Sequence, residues 1–109
     1  MSEADRKAMN ADMTQLGLTM YLFHDDTGKA ATGVADLAPK MEGAERLIKK
    51  INDGGIIVNW GKWIEAKWWA YEKDAPIRGG YMIVPDPARN NEMRAREVTA
   101  DEAKRILGK

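Results

Sequence analysis

Cysteine is absent from the chain, and serine, histidine and phenylalanine occur once each, as Ser2, His24 and Phe23. Without cysteine there are no disulfides, no thiolate metal sites and no cysteine nucleophile. A lone serine near the start leaves a serine–histidine hydrolase without its parts. An excess of charge of either sign is also missing. Lys+Arg and Asp+Glu stand at 17 each, so no global basic field draws the chain onto nucleic acid. No stretch approaches the roughly 18 apolar residues of a membrane span, and the polar start MSEADRKAMNADM lacks the apolar run of a signal peptide. These absences set the expectation of a cytoplasmic protein with no membrane partner and no cofactor, and they point away from an enzyme.

What is present is ordinary for a globular protein: 44% apolar and 31% charged residues in a chain of 109. That length supports one domain and one core. The order of patterns along it reads α-β-β-α-β-β-β-α, an α+β domain with an antiparallel sheet of four to five strands and helices mainly on one face. Ser2 caps a first helix whose stripe is Met9, Met13 and Leu16. Gly17 is expected to stop it, leaving residues 1–16 as a helix peripheral to the domain. Leu18 to Phe23 is an apolar run of strand length, His24 to Lys29 a turn with Gly28 at positive φ, and Ala30 to Leu37 a weak returning strand. Met41 to Ile51 repeats at helical spacing and ends at Asp53-Gly54-Gly55. Gly55 to Trp60 and Tyr81 to Val84 read as strands, and Ala88 to Glu97 as a loop or short solvated helix. The last helix opens with a capping box, Thr99 and Glu102.

No motif reaches a catalytic or metal signature. His24-Asp25-Asp26 brings the only histidine beside carboxylates, but Asp-Asp-Thr-Gly is turn chemistry, with Asp side chains bonding local amides. The pairs Gly54-Gly55 and Gly79-Gly80 belong to no phosphate-loop pattern.

The stretch WGKWIEAKWWAY, residues 60–71, holds every tryptophan. As a helix it would set Trp60, Trp63, Ile64, Trp68 and Tyr71 in one stripe with Trp69 opposite. As a strand, which aromatic residues and a two-residue turn at Gly61-Lys62 favour, it presents Ile64, Ala66, Trp68 and Ala70 on one face and Trp63, Glu65, Lys67, Trp69 and Tyr71 on the other. Adjacent tryptophans cannot both face one core, because neighbouring side chains on a strand point to opposite sides. The surplus face makes Trp63, Lys67, Trp69 and Tyr71, with Arg78 nearby, the candidate partner-binding residues. The expectation is a small binding or regulatory protein that contacts a protein partner, or a second copy of itself, through that face. Phage and mobile elements carry modulators of host machines of this size. One alternative is a single-stranded nucleic-acid binder, with Lys62, Lys67, Lys73 and Arg78 tracking phosphates. Glu65, Glu72 and Asp74 offset those charges. Another is a small-molecule pocket lined by Trp and Met.

Overall fold

The computed structural model describes residues 2–63 and 65–108. Ser2 opens helix α1 (Glu3–Thr27), its hydroxyl accepting the Asp5 N–H at 3.1 Å. The helix passes through Gly17 and ends only at Gly28, whose φ of 74° makes it the left-handed cap. Leu18 to Phe23 is therefore helix and not strand, and residues 24–27 are its last turn. Apolar runs of this length carry no period that separates the two conformations. Burial decides it: Met13, Leu16 and Met20 lie at i, i+3 and i+7 in the core, and Gly17 faces Ile83 with room only for ordinary contact. The helix expected to end at residue 16 is thus continued by a half that lies over the sheet.

Residues 30–37 form no strand either. They lead into the single turn α2 (Val34–Leu37) and a 3-10 turn, Ala38–Lys40. Helix α3 (Glu45–Asn52) follows, with Leu47 buried and acidic and basic ends matching its dipole. Asp12, buried at mid-α1, joins the two helices by accepting from Arg46 at 2.8 Å and Lys50 at 3.1 Å.

Four strands make one antiparallel sheet in sequential order: β1 (Ile56–Val58), β2 (Ala70–Glu72), β3 (Gly80–Asp86) and β4 (Glu92–Val98). Between β2 and β3 lies the short helix α4 (Ala75–Arg78), and after β4 comes α5 (Ala100–Leu107), with the Thr99–Glu102 capping box in place. One face of the sheet, including Ile56, Ala70, Ile83 and Met93, packs beneath α1, α2 and α3. On the other face Met82, Val84 and Val98 pack with Ala75 and Ala103 of α4 and α5. Helices thus cover mainly one face, with a smaller layer on the other, and the class is α+β. Among the described residues no helix is long and apolar enough to cross a membrane.

Strand β4 falls where a loop or solvated helix was expected. Its charges, Glu92, Arg94, Arg96 and Glu97, belong to an edge strand, where charge discourages unwanted pairing. Asn90 and Asn91, at φ 57° and 62°, close the β3–β4 connection.

Candidate protein-interaction site

Residues 59–69 are neither the expected strand nor a helix; they are a wide connection between β1 and β2. Its base is closed where Asn59 donates from its backbone to the Trp69 carbonyl at 2.7 Å and from its side chain to the Trp68 carbonyl at 3.0 Å. Only Ala70 and Tyr71 of the aromatic stretch belong to a strand, and Ile64 lies outside the described residues. The Trp69 N–H donates to the carbonyl of Ile83, whose register partner is Ala70. Two successive residues of the chain thus oppose one of β3, the count of a β-bulge. The bulge breaks strict alternation, so Trp69 and Ala70 both enter the core beneath α1.

Trp69, placed on the surplus face by the sequence, is accordingly 0% exposed. Its indole N–H is satisfied by the Trp63 carbonyl at 3.0 Å. Trp63 is half-buried, stacked between Trp69 (4.9 Å, 26°) and His24 (3.8 Å, 4°). Tyr21 meets both tryptophans, edge-on to Trp63 and tilted against Trp69. His24 is therefore a packing residue of the last turn of α1, not a loop residue. Glu65 holds the connection by accepting the Trp63 N–H at 3.2 Å. Backbone N–H donors, its own and that of Trp63, pull the Glu65 carboxyl below its usual range.

The other candidates are not brought together. Tyr71 lies on the opposite side of the sheet, half-buried against Trp68 (5.1 Å, 72°). Lys67 is exposed on the connection, and Arg78 ends α4, 2.5 Å from Asp74. Arg78 also lines an open cleft of about 710 Å³ at one end of the sheet, with Arg6, Tyr81, Glu97 and Glu102. Its floor is Gly79-Gly80. Gly79 has φ 84°, and a Cβ on Gly80 would strike the Glu72 carboxylate, which accepts the Tyr81 N–H at 2.6 Å. Two arginines and two glutamates line this cleft, so it has no net charge with which to select an ion. Among the described residues no three His, Asp or Glu side chains converge as metal ligands would.

A second concavity, of about 400 Å³, runs between α1 and the edge strand β4. Its walls are mixed: Met13, Leu18, Tyr21, Met93 and Ala95 supply apolar surface, Asn10, Thr14, Glu92 and Arg94 supply polar groups, and Gly17 lies in the helix wall. Leu18 and Leu22, one turn apart on α1, are 58% and 44% exposed. They are the surplus of the apolar run that resembled a strand.

The β4 backbone beside this groove is open. Ile83 turns its carbonyl towards Trp69, so by the alternation of an antiparallel ladder its opposite number, Ala95, directs its N–H and C=O away from β3. Met93 and Glu97 share that direction. The Met93 N–H is taken by the Tyr21 hydroxyl at 2.8 Å, which leaves Ala95 and Glu97 facing outward. Sequence reasoning missed this site because it placed strand structure at residues 18–23 and none at 92–98. The available signal was the alternation of Met93 and Ala95 with Glu92, Arg94 and Arg96 after a pair of asparagines. No family model, curated protein or solved structure matches the chain.

Proposed function

We propose that this is a small binding protein whose partner is another protein, engaged along the groove between α1 and β4. The observation that carries the reading is the pairing of a partly apolar trough, with exposed Leu18 in its wall and exposed Leu22 one turn on, with the outward main-chain groups of an edge strand. Trough and edge together are what an extended segment needs. Main-chain bonds supply affinity, and alternate side chains enter the trough. Exposed apolar rows beside such an edge are otherwise a liability in a protein that stays alone. The aromatic stretch contributes indirectly in this reading: Trp63 and Trp69 fix Tyr21, and Tyr21 forms part of the groove.

The test is selection from a random peptide library on the immobilised protein, with Leu18→Lys as the counter-selection. Binders that the variant no longer retains are the expected result. If every selected peptide binds both proteins equally, the groove is not the site.

A further inference from the structure

We infer that the partner segment docked on β4 is an extended strand in which acidic and apolar residues alternate. The inference rests on the reading of the α1–β4 groove as the protein-binding site and names the chemistry that the groove selects.

Successive residues of β4 point to opposite faces. Met93, Ala95 and Glu97 lie on the α1 side, while Glu92, Arg94, Arg96 and Val98 lie on the α5 side. A segment bonded to the outward groups of Ala95 and Glu97 makes its close, non-hydrogen-bonded pairs at Arg94 and Arg96. Side chains there meet the partner at the shortest cross-strand distance, where an opposite charge stabilises and a like charge repels. Arg94 is exposed and has no ion-pair partner among the described residues, and Arg96 is held by Glu102 at 3.0 Å. Two cations at i and i+2, one of them shared with Glu102, therefore ask for carboxylates at i and i+2 of the guest, while Glu92 on the same face disfavours a third. The residues between them turn towards α1 and meet Gly17, Leu18, Tyr21 and Ala95, with Asn10 and Thr14 as the polar groups of the same helix wall.

The same arrangement argues against a second copy as the guest. Two-fold registers centred on Ala95 or Arg96 set arginine opposite arginine. One centred on Arg94 opposes that residue to itself but pairs each Arg96 with a Glu92; its ladder bonds fall on Met93 and Ala95, and the Met93 N–H is already bound to Tyr21. A register centred on Met93 avoids that repulsion, but it uses an N–H already bound to Tyr21. Self-pairing therefore meets either an arginine pair or the bound Met93 N–H, while Arg94, without an ion-pair partner among the described residues, is left for a carboxylate of the guest.

The experiment measures binding of a labelled decapeptide of alternating Glu and Val by fluorescence anisotropy, beside its counterpart with Lys at every Glu position. About threefold tighter binding of the acidic peptide is expected, because Arg94 and Arg96 favour it while Glu92 on the same face opposes it and Arg96 is already shared with Glu102. The preference should shrink in about 0.5 M salt and be lost in Arg94→Gln. Ala95→Pro deletes an outward N–H that the β3 ladder does not use, so it should abolish binding while circular dichroism and the unfolding midpoint report an intact fold. Equal binding of the two peptides, or an unchanged preference in Arg94→Gln, overturns the inference. If library-selected peptides depend on Leu18 but carry no acidic alternation, the partner chemistry falls and the binding site stands. If no selected peptide depends on Leu18, both fall.

Discussion

Trp69 ties the 59–69 connection to the core through three kinds of interaction: burial, a stack on Trp63 and an indole hydrogen bond to the Trp63 carbonyl. Truncation to alanine leaves a large cavity, so Trp69→Ala is expected to lower stability by about 3–5 kcal/mol, read as a reduced urea midpoint. Trp68→Ala, at a half-buried site against Tyr71, should cost clearly less. Asp12 is the other single residue that joins distant parts, and Asp12→Ala removes the buried acceptor of Arg46 and Lys50. The expected loss is about 2 kcal/mol, the range for hydrogen bonds to charged groups, and an urea titration checks it. Neither residue's place is legible from composition. That only one of Trp68 and Trp69 enters the main core was legible, because adjacent side chains diverge. Which one enters depended on a bulge, and a bulge has no side-chain signature in this stretch.

Among the elements, α3, α5 and the strands β1 and β3 were legible because period, caps and glycine stops agreed with one another. The second half of α1 and the whole of β4 were not. In α1 both faces of residues 18–23 are apolar, one for the core and one left at the surface, so the run lost its helical period. In β4 the charges that protect an edge disguised a strand as solvated chain. The α5 cap supplies a pH test. The Thr99 N–H, with help from Arg96, holds the Glu102 carboxyl below the 4.5 usual for glutamate. Its contribution is therefore complete above that usual value and is lost as pH falls through the lower, folded-state value. Glu102→Gln keeps a capping residue without the titration, and its unfolding midpoint should fall less steeply than that of the parent below about pH 4.5.

For the molecule as a whole, the sheet has two edges, and they are treated differently. The β1 edge strand is only three residues long, while β4 offers seven residues beside a groove. The arginines, together with the Met93 N–H held by Tyr21, keep that longer edge from pairing with itself, so a monomer is expected at micromolar concentration by sedimentation equilibrium. Arg94→Glu turns the repulsive Arg94–Arg96 pairs of a two-fold register into attractive ones, and this variant should self-associate. The function expected from the sequence, protein binding, is retained as a proposal, but its site has moved from the tryptophans to the helix and strand that the sequence obscured. The most direct test is the backbone amide spectrum of the ¹⁵N-labelled protein titrated with the alternating Glu–Val peptide. Saturable shifts and exchange protection at the amides of Ala95 and Glu97, with shifts at Leu18 and Leu22, are the expected result. Shifts confined to the 59–69 connection or to the Gly79-Gly80 cleft, with β4 unmoved, would contradict it.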